Sequence, residues 1–172
     1  MRRIVILGNA GSGKSTLARQ LGERLGLAVV HLDRLFWQPG WVEPDAEQFR
    51  ERVGEAVAGE GWVCEGNYAR RTFDLRLPRA DLVIWLDTPR WTCLWRVIRR
   101  SAFQRSRPDL APGCHEQFDR AFLDFLKFVW QFDSGYRQGI DAVRQRVAPQ
   151  VPVIHLRGAA QASRFLASLP RD

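Results

Sequence analysis

Gly8-Asn9-Ala10-Gly11-Ser12-Gly13-Lys14-Ser15-Thr16 is the stretch whose reading decides the fold. A glycine, four residues, then Gly-Lys-Ser is the spacing of a phosphate-binding loop, the P-loop. The glycines let backbone N–H groups turn inward around phosphate oxygens. Lys14 brings a point charge to the β- and γ-phosphates. The Ser15 hydroxyl suits Mg²⁺, which takes hard oxygen ligands. The flanks agree with the motif. Arg3 to Leu7 (RIVIL) is an apolar run of buried-strand type, and residues 15–25 carry apolar side chains at helical spacing. The helix presents its positive end to the same anion. Gly8 through Thr16 is therefore the expected nucleotide-phosphate site, with ATP as the ligand.

Outward from the loop, strands alternate with helices. Leu27–Leu32 (LAVVHL) reads as a second strand, with Asp33 at its C-terminal end, where parallel α/β sheets bind ligands. Asp33 either orients an acceptor hydroxyl or caps a following helix. Residues 34–44 (RLFWQPGWVEP) form an aromatic segment in which Trp37 and Trp41 stack on a planar acceptor or close an apolar cluster. A helix is expected from Asp45 to Ala58, capped by Asp45, making about 34–60 an acceptor-side insertion. Trp62–Cys64 is a third strand ending at Glu65, a carboxylate placed to manage Mg²⁺ or to pair with an arginine in 70–76. Asp81–Leu86 is the fourth strand.

A helix then runs from Trp91 to Arg100, with Arg96 and Arg100 one turn apart. These two neutralise transferring charge or bridge to a carboxylate such as Asp87. Residues 101–115, basic and proline-containing, lose the helical pattern and are expected to form a lid. Phe118–Phe132 is helical and is expected to break at Ser134-Gly135. A helix over about 136–147, a fifth strand over Val151–Leu156 and a last helix from about Gln161 to Leu169 complete the chain. His31 and His155 read as ordinary near-core residues. Five strands alternating with helices imply a three-layer α/β/α sandwich around a five-stranded parallel sheet, one P-loop domain over residues 1–172.

Composition narrows the function classes. The chain has 172 residues and a formal charge of +7. Of its basic residues only Lys14 and Lys127 are lysines. The arginine excess suits a polyanionic ligand, nucleotide or nucleic acid. No run of about 18 apolar residues indicates a membrane span. The start enters a strand too early for a signal peptide, and three separated cysteines read as reduced thiols, so a cytoplasmic protein is expected. Cys114-His115 lacks the further ligands of a zinc site. No Asn-Lys-x-Asp follows the fourth strand, which argues against a guanine-specific switch. No helix-turn-helix or zinc-finger pattern is present, so nucleic acid is a weaker partner than a small molecule.

Several stretches carry a resemblance to a known family: HLDRLFWQPGW (31–41), EGNY (65–68), DLRL (74–77), PRWTCLWR (89–96) and RPDLAPGC (107–114), together with the P-loop. The chain resembles the adenylate-kinase-like branch of P-loop kinases. More narrowly, it is similar to the bacterial topology-modulation or flagellar-regulation proteins. The resemblance implies a nucleoside- or nucleotide-kinase-like P-loop NTPase fold with a lid segment, and a Mg²⁺/ATP-dependent transfer of the γ-phosphate to a small acceptor such as a nucleoside or nucleotide. It places Glu65 where the branch often has aspartate. Arg96 and Arg100 fall at the positions of the lid arginines, seven and eleven residues after Pro89. Leu156–Ala159, with Arg157 and Gly158, falls at the adenine-contacting loop. The family label leaves a second reading, a nucleotide-dependent regulatory module that binds DNA or a protein partner through its basic surface.

Overall fold

The computed structural model describes residues 1–103 and 119–170. The apolar runs form five parallel strands: β1 (Arg3–Gly8), β2 (Ala28–His31), β3 (Trp62–Glu65), β4 (Leu82–Leu86) and β5 (Val153–Leu156), in the order β2-β3-β1-β4-β5. Residues Ile4–Leu7, Val63, Val83 and Ile84 are wholly buried, because helices cover both faces of the sheet.

The two faces collect different side chains. Ile4, Ile6, Val63 and Ile84 point toward α1 (Lys14–Leu25) and α8 (Gly158–Ser168), where Leu17, Leu21 and Phe165 meet them. Val5, Leu7, Val83 and Trp85 point the other way. There they pack with α2 (Leu32–Phe36), α3 (Ala46–Ala56), α4 (Ala69–Arg76) and α7 (Arg137–Val147). A smaller apolar cluster joins α5 (Arg90–Phe103) to α6 (Arg120–Gln131) through Cys93, Val97, Phe122 and Val129, and Ala10 of the loop packs against it.

The structure corrects several expected boundaries. Leu32, expected to end β2, opens α2; it is fully buried, and the short helix turns the chain toward α3. Helix α4 was not expected. Its sequence, ARRTFDLR, holds three arginines and lacks a capping side chain; Thr72 and Phe73 bury it against the sheet. Ser134-Gly135 does not break the chain. A π-helical turn over Phe132–Tyr136 carries α6 directly into α7, with Phe132 buried and Phe128 in ring contact with Phe132 and Tyr136. Helix α8 starts at Gly158, ahead of the expected Gln161. Helix α5 runs on to Phe103, so the first three residues of the expected lid are helical. The rest of it, 104–115, lies outside the described residues, as do Cys114-His115 and the RPDLAPGC stretch. As expected, Asp45 caps α3, accepting from the N–H groups of Glu47 (2.9 Å) and Gln48 (3.4 Å). No helix among the described residues is long and apolar enough to cross a membrane.

Asp81 ties the start of β4 to the start of β1. Its carboxylate accepts from the backbone N–H of Arg2 (2.7 Å) and Arg3 (3.0 Å) and from the Arg3 guanidinium (2.9 Å). Partial burial raises its pKa, but the two N–H donors and Arg3 outweigh that and pull it from 3.8 to about 2. A depressed folded-state pKa contributes stability above the unfolded value, and that contribution is lost as pH falls from about 4 through about 2. The shift corresponds to about 2 kcal/mol. Asp81→Asn is therefore expected to lower stability by up to that amount at pH 7, with the gap to wild type closing below pH ~2. Urea unfolding midpoints measured from pH 7 downward check this; a gap that does not change with pH contradicts it.

Candidate active site

The P-loop fills the turn between β1 and α1, and its glycines are there because side chains would not fit. At Gly11 (φ +76°) a Cβ would lie 2.4 Å from the Cys93 carbonyl oxygen of α5; at Gly8 (φ +144°) it would lie 2.8 Å from that of Leu86 in β4. Three side chains fix the loop, Asn67 and Thr88 from outside and Asn9 from within. The Asn67 amide accepts from Gly8 N–H (3.2 Å) and donates to Gly8 C=O (2.9 Å). Asn9 Nδ2 donates to the Val129 carbonyl of α6 (2.7 Å), and Thr88 Oγ1 donates to the Ser12 carbonyl (3.0 Å).

Helix α1 starts after Gly13 with no side-chain cap, so its first N–H groups are left for an anion. Ser12 Oγ is buried with no hydrogen-bond partner among the described residues. Lys14 Nζ donates to the Asn9 carbonyl (2.9 Å), and Arg96 Nη1 stands 3.4 Å from the carbonyls of Gly11 and Ser12. Two cations thus lie against a cradle of backbone donors. The uncapped helix, the orphaned hydroxyl and a loop with no room for a Cβ at Gly8 or Gly11 all fit a phosphate chain.

Beside the cradle, Glu65 is 2% exposed at the end of β3. Its Oε1 accepts from Ser15 Oγ (3.0 Å) and meets His31 Nδ1 at 2.8 Å. The pairing expected with an arginine of 70–76 does not occur. Sheet register sets His31 of β2 directly beside Glu65 of β3, while Arg71 and Arg76 are engaged elsewhere. His31 lies near the core, its side chain 10% exposed, with its ring nitrogen held against Glu65. Ser15 gives its proton to Glu65, so its oxygen stands beside the carboxylate. Hydroxyl plus carboxylate is a hard-oxygen donor set, which fits Mg²⁺.

Asp33 lies in the first turn of α2 instead of at a strand end. Tyr68 Oη donates to its Oδ1 (2.8 Å). Burial, and then the Asp33 charge, push the Tyr68 phenol far above its usual range, so it stays a donor. Tyr68 packs on Phe36 and Phe49, and Trp37 meets Trp41 edge to face with centroids 5.2 Å apart. Tyr68 (φ +36°) and Trp41 (φ +62°) hold left-handed backbone conformations, which cost an L-residue roughly 1–2 kcal/mol each.

Arg76 is completely buried. It donates to the carbonyls of Gly66 (2.7 Å) and Asn67, to Thr72 Oγ1 (3.1 Å) and to Cys64 Sγ (3.8 Å). Burial lowers its pKa, and burial raises that of the Cys64 thiol to about 11 against the pull of Arg76. Arg71 pairs with Glu43 (3.1 Å) and lies over the Phe36 ring, while Arg70 is exposed.

These groups open on one cleft of about 2150 Å³. Ala10–Thr16, Asp33, Glu65, Arg96, Arg100 and Gly158 line it. Gly8 and Asn9 lie behind the lining as supports. Arg157 is exposed and is not part of the lining; only its neighbour Gly158 reaches the rim. Asp87, considered as a partner for Arg96 or Arg100, is held by Arg137 (2.6 Å) and by His155 (2.9 Å), which is half-exposed and not a core residue. Of the residues sequence reasoning did not assign, Asn67, Tyr68 and His31 had one shared signal: each is a polar side chain at or just past a strand's C-terminal end. Arg76, inside an unexpected helix, had none.

No protein-family model matches the chain. Shikimate kinase of Corynebacterium efficiens is 30% identical over 146 residues, which cover 78% of this chain and 84% of that one. Adenylate kinase 2 of a Nostoc species is 34% identical over 151 residues, covering 71% and 79%. Among solved structures, shikimate kinase from Bacteroides thetaiotaomicron superposes with a TM-score of 0.58 at 18% identity over 96% of this chain and 94% of that one, a likeness of fold. With a P-loop cradle at the end of the central strand and relatives of this closeness, the chain belongs to the small-molecule P-loop kinases, the family that includes shikimate kinase and adenylate kinase.

Proposed function

We propose that the protein is a cytoplasmic Mg²⁺/ATP-dependent phosphotransferase that passes the γ-phosphate of ATP to a hydroxyl of a small acceptor. The narrower likeness to the topology-modulation proteins belongs to the same proposal. The observation that carries it is the single cleft in which a phosphate cradle and the Ser15–Glu65 pair face Asp33.

Gly8–Gly13 and the start of α1 hold the phosphate chain by backbone N–H groups, and Lys14 spans β and γ. Ser15 and Glu65 would hold a magnesium ion, which would supply charge neutralisation on the phosphate oxygens. Gly158 borders the adenine side. Asp33, steadied by Tyr68, orients the acceptor hydroxyl. Its oxygen bonds to the γ-phosphorus as the bond to the bridging oxygen breaks. ADP leaves with that electron pair, and the hydroxyl proton passes through Asp33 to water. Arg96 and Arg100 neutralise charge on the transferring group, the positioning and electrostatic work that phosphoryl transfer mainly requires.

Transfer of labelled γ-phosphate to a panel of small hydroxyl compounds tests the reading. Lys14→Ala is expected to keep the wild-type circular dichroism spectrum and lose at least tenfold in ATP affinity, turnover or both. Equal affinity and equal turnover contradict the assignment.

Arg96→Ala and Arg100→Ala are each expected to lower kcat about tenfold or more, about 1.4 kcal/mol per decade, with little change in Tm. An arginine acting alone on such charge is worth roughly 10³ to 10⁵ in rate, so two that share the task lose less singly. Full kcat in both variants removes the role.

A further inference from the structure

We infer that His31 is a positioning residue for a divalent cation: its imidazole holds the Glu65 carboxylate in the orientation in which Glu65 and Ser15 would take the ion; this rests on the kinase reading above. The first support is the way the Glu65 oxygens are divided. Oε1 meets two side chains, Ser15 Oγ of α1 at 3.0 Å and His31 Nδ1 of β2 at 2.8 Å. An ionised carboxylate only accepts, so Nδ1 carries the proton and donates. Oε2 makes no hydrogen bond among the described residues, and Glu65 lines the cleft with Lys14 and Ser15. One oxygen is gripped from two elements while the other stays open to a ligand. The last side-chain torsion of a glutamate is soft and roughly two-fold. A single hydrogen bond leaves it soft; a second, from a different element, fixes it.

The second support is that paired strands, not a loop, place the two side chains. His31 ends β2 and Glu65 ends β3, and parallel pairing sets them at one register. Just beyond the pair the two strand exits pack without spare room. A Cβ at Gly66 (φ +123°) would lie 3.0 Å from that of Leu32, which is wholly buried. His31 is also the residue before α2, yet its imidazole gives that helix no cap bond. Its Nδ1 is committed to Glu65. A partner that holds a metal-binding carboxylate acts on the metal through it, and losing one typically costs about 10–100-fold in metal affinity or activity.

The test uses the full chain with ADP, and manganese(II) as the probe cation, its binding followed by electron paramagnetic resonance. ADP affinity is measured separately in EDTA. His31→Ala is expected to weaken Mn²⁺ about tenfold or more, with metal-free ADP affinity and the circular dichroism spectrum unchanged. His31→Asn puts an amide Nδ2 where Nδ1 stands, and is expected to recover the lost Mn²⁺ affinity. His31→Gln, whose amide lies one methylene further from the backbone, is expected to stay weak. Unchanged Mn²⁺ affinity in His31→Ala overturns the inference, even where Tm falls, and makes His31 a packing residue. A His31→Asn variant that restores nothing overturns it as well.

Equal Mn²⁺ affinity in His31→Asn and His31→Gln also overturns it, and that comparison decides where His31→Ala does not fold. Glu65→Gln separates this inference from the reading beneath it. Wild type that binds no Mn²⁺ with ADP, or Glu65→Gln that binds it as tightly as wild type, removes the magnesium assignment of the kinase reading. Mn²⁺ lost in Glu65→Gln and kept in His31→Ala removes the role of His31 alone.

Discussion

A fully buried guanidinium holds the turn on which both sides of the cleft rest. Arg76 has left water entirely, and its hydrogen-bond partners among the described residues are two carbonyls, a hydroxyl and a sulfur. Its compensation comes from the carbonyls of Gly66 and Asn67, the Thr72 hydroxyl, the Cys64 sulfur and the face of Phe73. Hydrogen bonds to a charged group contribute about 1.5–3 kcal/mol each, so the carbonyls of Gly66 and Asn67 tie the turn to α4. From it, three side chains leave in different directions. Glu65 precedes it and reaches Ser15 and His31; Asn67 clasps Gly8; Tyr68 reaches Asp33. The P-loop, the Ser15–Glu65 pair and the Asp33 carboxylate are therefore set by one short segment.

The cradle is seated by what it lacks. Gly11 lies so close to the Cys93 carbonyl that α5 and the loop touch backbone to backbone. That contact brings Arg96, one turn beyond Cys93, onto the loop carbonyls. Burial raises the Cys93 thiol to about 11 although Lys14 and Arg96 pull the other way, so it remains a neutral packing group beneath two cations. The positive side of the cleft is assembled where the loop and α5 pack together at Gly11 and Cys93.

The P-loop, β1 and β4 were legible because each is a contiguous signal: a fixed spacing or an unbroken apolar run. The site's second rank was not. His31 and Glu65 are 34 residues apart and meet only because parallel pairing sets them at one register. A lone histidine at a strand end gives no sign of that. Arginines at 70, 71 and 76 looked like natural partners for Glu65, but a helix in that stretch turns Arg76 inward to backbone carbonyls and sends Arg71 to Glu43. Ser134-Gly135 reads as a helix break by propensity. Buried Phe132 and the ring contacts of Phe128 with Phe132 and Tyr136 override it through a π turn.

Strand order arranges the cleft's chemistry in space. With β1 central in β2-β3-β1-β4-β5, the phosphate cradle stands in the middle of the sheet's C-terminal edge. The chain first moves outward to β2, whose exit carries Asp33 and the tryptophans, and fills β3 on its return. It then crosses to β4 and β5, whose exits carry Thr88, α5 and Gly158. Ligands of doubly wound sheets sit at such a switch point. Asp33 and the tryptophans thus fall on the opposite side of β1 from Thr88, α5 and Gly158. The Asn67 amide reaches across to Gly8, so a displacement of the Gly66-Asn67 turn would be felt by the backbone of the P-loop.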